Sequence, residues 1–177
     1  SKTFYCYQSS VYPYIKYGLF LTKRQTSPVL CYINGINMIE AVTKNTLLEV
    51  LPLIAQYQAF YQVADINSQR NEQFFSQFVN HSPLGALFLY RQNGKVIGFA
   101  TVYFSFSSTI TAKVGIMNDL FTLEDYRGQG IGKALINHCL DYALNQGAAR
   151  LQWVTALDNT QAQALYNSLD THKKPWL

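Results

Sequence analysis

No apolar run in this 177-residue chain approaches the roughly 18 consecutive residues that a membrane-spanning helix needs, so no membrane span is expected. The opening residues make no standard secretory signal. Tyr5, Tyr7 and Gln8 interrupt the apolar character and no clean cleavage site follows, which points to a cytoplasmic protein. Cysteine is scarce: Cys6, Cys31 and Cys139 lack metal-ligand spacing and leave an odd thiol in any disulfide scheme. No metal site is expected, and Cys139 reads as a small hydrophobe on the inward face of a helix. There is no GxSxG elbow and no HExxH helix. His81 and His172 have no partner pattern, and His138 reads as a packed or solvated histidine. Internal repeats and low-complexity linkers are missing as well.

Acidic residues are absent from positions 1–37, which nevertheless hold Lys2, Lys16, Lys23 and Arg24, six of the 13 tyrosines and two of the three cysteines. The leader therefore carries the whole formal net charge of +4, and residues 38–177 are neutral. Four dispersed charges are a weak docking signal, and a neutral remainder argues against nucleic acid as a partner. The chain divides into a basic, aromatic-rich leader over 1–37 and one domain over 38–177. The 49% hydrophobic content is ample for a single core.

From Met38 the pattern predicts an α/β (α+β) domain. MIEAV reads as a strand. A helix capped by Thr43 or Asn45 runs to about Phe60, with Pro52 as a point of bending or interruption. A second helix over about 68–79 carries Phe74, Phe75 and Phe78 toward the core or an acceptor pocket. GALFLYRQ and KVIGFATVYFSF flank Asn93-Gly94, a strong hairpin signal, and a second reversal near 107–111 leads into AKVGIMNDLFTL. A helix then runs from Gly130 to about Asn145 with Gly147 just beyond it. Strand ARLQWVTAL and a short helix bearing Tyr166 follow.

The chain is organised around NDLFTLEDYRGQGIGKAL, residues 118–135, where a strand enters a glycine-rich turn that opens a helix. Unpaired N–H groups and the positive end of the macrodipole make such a helix start an anion site. Gly128, Gly130 and Gly132 allow close approach, and Arg127 adds a forked cationic donor. A Walker loop is excluded because Ala134 stands where the hydroxyl belongs, and the GxGxxG spacing is not met. R-x-x-G-x-G remains, as Arg127, Gly130 and Gly132. Downstream, DNTQAQALYNSL supplies N-x-x-A-x-x-L-Y as Asn159, Ala162, Leu165 and Tyr166.

These two segments resemble the signature of the GNAT N-acetyltransferases, and VIGFATVYF, NDLF and RGQGIG are most similar to bacterial relatives of the spermidine/spermine (diamine) enzymes. The resemblance spans about residues 38–177. It implies a mixed, mostly antiparallel sheet flanked by helices, with the family's strands four and five splayed around acetyl-coenzyme A. It also implies that Arg127, Gly128, Gln129, Gly130, Ile131, Gly132 and Lys133 hold the phosphates. By the same resemblance the main chain of Leu120, Phe121 and Thr122 takes the pantetheine arm and offers an oxyanion donor, and Asn159 adds a contact from the next turn. Tyr166 becomes the general acid for the departing thiolate, and Asp119 a candidate acceptor-binding or proton-accepting carboxylate. Gly-Phe, usual after the tyrosine, is replaced by Asp170-Thr171, and Leu177 falls where the family's final strand is only starting.

The implied activity is transfer of an acetyl group to a primary amine. A small-molecule amine is the expected partner, and a homodimer stays open. Asn118 stands where the polyamine enzymes have the first member of an acidic pair, which disfavours a polyamine. A non-catalytic acyl-coenzyme A binding module, and an acetyltransferase acting on a protein or tRNA-linked amine, are the alternatives.

Overall fold

The computed structural model describes residues 15–22, 37–80, 82–156, 159–169 and 172–175. Their centre is a seven-stranded sheet: β1 (Ile15–Leu21), β2 (Asn37–Ala41), β3 (Gly85–Gln92), β4 (Lys95–Ser107), β5 (Ala112–Thr122), β6 (Leu151–Ala156) and β7 (His172–Pro175). The spatial order is β2-β3-β4-β5-β6-β1-β7. All neighbours are antiparallel except β5 and β6. Helices α1 (Leu47–Phe60) and α2 (Ser68–Phe75) cover one face, and α3 (Ile131–Asn145) with α4 (Thr160–Asn167) cover the other. The expected α/β fold is the observed one.

Local chemistry accounts for the first arm of the sheet. Asn93 and Gly94 have φ of 50° and 79°, the left-handed pair that a two-residue hairpin turn requires, and they join β3 to β4. Helix α1 starts at Leu47 behind a turn in which Thr43 N–H donates to Thr46 Oγ1 at 2.9 Å, so the start lies slightly later than the expected caps. It runs through Pro52 without a break. Pro52 and Leu48 are both exposed, so water can satisfy the Leu48 carbonyl that the proline ring leaves unbonded. Helix α2 ends at Phe75, and Ser76–Phe78 forms a short 3-10 turn. Phe75 and Phe78 are core, whereas Phe74 is 44% exposed.

Two clusters fill the two faces. Phe99, Leu87 and Leu89 of the sheet cluster with Val50 and Ile54 of α1, and Leu151 clusters with Leu135, Ile136, Cys139 and Leu140 of α3. Cys139 is fully buried, and burial pushes its thiol pKa up. His138 packs on Phe88 at 4.6 Å between centroids, and burial lowers its pKa, as fits a packed neutral imidazole.

The second arm holds the departure from expectation. Ile15–Leu21, placed in the leader by sequence, pairs with β6 on one side and β7 on the other. Leu19 and Leu21 are each 2% exposed and belong to the cluster beneath α3. Burying those leucines favours the pairing. Cys6 and Cys31 lie outside the described residues, as does His81. The final strand is present over four residues and sits at the edge against β1.

Candidate active site

Strands β5 and β6 run parallel but pair only at Gly115–Leu151 and Ile116–Gln152, and beyond those positions they diverge. A cavity of about 510 Å³ fills the divergence. Met117, Asn118, Leu120, Phe121 and Thr122 form one wall and Trp153, Val154 and Thr155 the other. The main chain there has lost its lateral strand partner, which leaves backbone groups open to a ligand.

A β-bulge sets what each wall presents. Thr101 pairs with Asp119 and Val102 with Met117, so Asn118 is an extra residue in β5. Strict alternation would put Met117 and Asp119 on one face. With the bulge, Met117 packs beneath α3, whereas Phe121 packs beneath α1 and Asp119 sits among Tyr57, Thr101 and Tyr103. Asp119 is 6% exposed. Asn118 Nδ2 donates to its Oδ1 at 3.0 Å, and Oδ2 has no partner of regular hydrogen-bond geometry among the described residues. Burial raises the Asp119 pKa above the ordinary carboxyl value, opposed by the nearby hydroxyls of Thr101, Tyr57 and Tyr103 and the Asn118 amide.

At the far end of β5, the turn into α3 is shaped by glycine. Gly128 and Gly130 have φ of 75° and 83°, and a Cβ at either would stand in open space. Substitution there meets backbone strain and fills the concavity in front of the helix. The first intrahelical bond runs from Ala134 N–H to Gly130 O at 3.0 Å, so the N–H groups of Ile131, Gly132 and Lys133 precede it and point out of the helix start. Gly132 has a second task. A Cβ there would stand 2.9 Å from Leu165 Cδ2, so glycine lets α3 approach α4. Arg127 Nε donates to Thr122 O at 3.1 Å and Nη1 to Gln161 Oε1 at 3.4 Å, tying the end of β5 to α4.

Helix α4 closes the cavity. Asn159 Oδ1 accepts from Ala162 N–H at 3.1 Å and so caps α4 while also lining the cavity. Two turns along α4, Tyr166 is 7% exposed, with its ring 5.3 Å from that of Trp153. Burial, and secondarily Tyr61, raises the Tyr166 pKa, which keeps the phenol protonated at neutral pH.

The predicted set is thus largely gathered in one place. Leu120, Phe121, Thr122, Arg127, Gly128, Gly130, Ile131, Gly132, Lys133, Asn159 and Tyr166 all line the cavity. Gln129 does not. It faces solvent, and its Nε2 reaches back to Asp125 O at 3.4 Å. Asp119 lies one layer behind the wall, under Tyr57 and Asn118, which do line it. Sequence reasoning missed Tyr57, Phe60 and Tyr61 at the end of α1. Their one available signal was a tyrosine and phenylalanine cluster at a helix end.

The Acetyltransferase (GNAT) family profile matches residues 52–170, a span that contains the turn, the divergent strands and α4. The chain belongs to that family. It is an N-acetyltransferase fold and sequence, and its acetyl donor is acetyl-coenzyme A. An uncharacterized N-acetyltransferase, YhfO, from Bacillus subtilis is 35% identical over 118 residues, covering 66% of this chain and 77% of that protein. The thialysine N-epsilon-acetyltransferase of Mus musculus is 32% identical over 90 residues, and the chain spans about half its length, 52%. Among solved structures, a probable acetyltransferase superposes with a TM-score of 0.69 at 26% identity, covering 77% of this chain and 91% of that one. No described helix of this GNAT protein is long and apolar enough to cross a membrane.

Proposed function

We propose that this GNAT enzyme acetylates a small primary amine by direct attack of the amine on the thioester, with Tyr166 as general acid and Asp119 as the carboxylate that draws the amine's proton. The observation that carries the reading is that one cavity joins the unpaired helix start at Ile131–Lys133, the strand edge at Leu120–Thr122 and the buried phenol of Tyr166. Acetyl-coenzyme A supplies the thioester carbonyl and the thiol leaving group when bound. The N–H groups of Ile131, Gly132 and Lys133, with the Arg127 and Lys133 charges, hold phosphate oxygens, and the open concavity at Gly128 and Gly130 fits such a group.

Main-chain groups of Leu120, Phe121 and Thr122 act as a strand partner for an amide-bearing arm, and a backbone N–H there steadies developing charge on the carbonyl oxygen. A lysine-like amine has a pKa of about 10.4, so it arrives charged and must lose a proton before attack. Asp119 attracts that ammonium through Tyr57 and Asn118, which stand between it and the cavity. Burial has raised its proton affinity, which suits a base. The new N–C bond forms as the C–S bond breaks. Tyr166 Oη delivers a proton to the departing sulfur, and the extra proton left on the amide nitrogen passes through water to the Tyr166 phenolate, while Asp119 returns the proton it took to solvent. Kinship with a thialysine N-epsilon-acetyltransferase supports a primary amine in general.

The test is release of free thiol from acetyl-coenzyme A across a panel of primary amines. Amine-dependent release that gives acetylated product supports transferase activity. Coenzyme binding without any release supports a binding module instead.

A further inference from the structure

We infer that the acceptor is a hydrophobic monoamine, a primary amine with a single positive charge carried on an aromatic or branched apolar body. The inference rests on the acetyl-transfer reading and concerns the part of the cavity built by the end of α1.

There the wall is a run of rings. Phe60 and Tyr61 meet edge to face at 5.2 Å, Tyr61 and Tyr57 at 4.9 Å, and Tyr57 reaches Phe121 at 6.0 Å and Phe99 at 5.7 Å. Exposure falls along this run from 59% at Phe60 and 36% at Tyr61 to 9% at Phe121. It therefore leads from solvent toward the divergence of β5 and β6, and Phe60, Tyr61, Tyr57 and Phe121 all line the cavity. Exposed rings of this size around a cleft mark a surface that gains by being covered. Their faces offer an apolar body dispersion contacts and offer an ammonium a cation–π contact.

Charge points the same way. Among the described residues that line the cavity, the charged side chains are Arg127 and Lys133, both cationic. Among the described residues, the carboxylate that acts on the ring wall is Asp119, buried behind Tyr57. Glu40 and Glu49 are paired to Arg91 at 2.7 Å, and Asp65 to Arg70 at 2.9 Å. One carboxylate balances one ammonium. A polyamine or an aminoglycoside would bring further ammonium groups against rings and cations, with no acid among the described lining residues to meet them.

The experiment compares 2-phenylethylamine with spermidine and kanamycin as acceptors, using the full chain, saturating acetyl-coenzyme A and thiol release. We expect kcat/KM for 2-phenylethylamine to exceed that for either polycation by at least about tenfold. Phe60→Ala and Tyr61→Leu should each raise the KM for 2-phenylethylamine roughly three- to tenfold and leave the KM for acetyl-coenzyme A unchanged. Phe60 is exposed enough for truncation to leave the fold intact, and an unshifted melting temperature verifies it. Preference for spermidine or kanamycin, or ring variants with unaltered KM for 2-phenylethylamine, would overturn the inference while acetyl transfer stands. Failure of every amine to release thiol would overturn both.

Discussion

The two arms of the sheet are built in opposite ways. Strands β2 to β5 form an arm in which β3, β4 and β5 follow one another through tight reversals, so each strand finds its neighbour close along the chain. The arm of β6, β1 and β7 is assembled from residues 151–156, 15–21 and 172–175, and both pairings in it, β1 with β6 and β1 with β7, close a long loop. The arms touch at two residue pairs and then part. Their divergence makes the cavity. A site at such a seam gains a strand edge from each arm without either arm having to open, which is a cheap way to expose backbone groups to a ligand.

The sharpest break of the seam is chemical. Tyr166→Phe keeps the ring against Trp153 and removes only the hydroxyl. We expect kcat to fall by about 10²- to 10⁴-fold with acetyl-coenzyme A affinity retained, measured by steady-state kinetics and calorimetry on the same variant. Affinity falling together with kcat would make the hydroxyl a positioning group.

The next largest effect separates the arms in stability. Leu19→Ala in β1 and Leu87→Ala in β3 both delete fully buried methyl groups, one in each arm. Each should cost about 2–4 kcal/mol, a fall of roughly 5–15 °C in melting temperature by calorimetry. A single transition in both variants means the arms melt as one unit, and two transitions in Leu19→Ala would show the second arm releasing first. Because β1 lies between β6 and β7, deletion of residues 1–37 removes a central strand of that arm and should be at least as damaging as Leu19→Ala.

Gly130→Val tests the donor end. A β-branched residue at φ 83° is strained, and its side chain enters the space in front of the helix start. Affinity for coenzyme A should drop about 10- to 100-fold by calorimetry. The unsubstituted protein should gain about 2.7 kcal/mol of apparent stability with coenzyme A at 100 times its dissociation constant.

The smallest effect belongs to Asp119. Its pKa is raised in the folded state, so the native protein holds this proton more tightly than the unfolded chain does. Its contribution to stability is therefore greatest at low pH and declines as pH rises through the folded pKa. Asp119→Asn removes that decline. It should melt about 2–4 °C higher than the unsubstituted protein at pH 8 and nearly level with it near pH 4, while turnover of amines falls. A melting difference that does not vary with pH would show the carboxylate is not held against its charge.

Much of this was written in short stretches of the chain. Asn93-Gly94 specifies its hairpin because few other residues accept two successive left-handed conformations. The glycine turn and N-x-x-A-x-x-L-Y specify their helix starts through backbone geometry and capping, and all of these act over a few residues. The helix pattern likewise marked Cys139 as inward-facing. What only the tertiary structure decided acts between distant segments. Whether Ile15–Leu21 is leader or strand depends on the open edge of β6, some 130 residues away, and no local pattern records that edge. Which face receives Asp119 depends on one extra residue at Asn118, visible only against the register of β4. The ring wall at the acceptor end exists because the end of α1 is carried over the seam between the arms, a meeting fixed by packing and not by spacing.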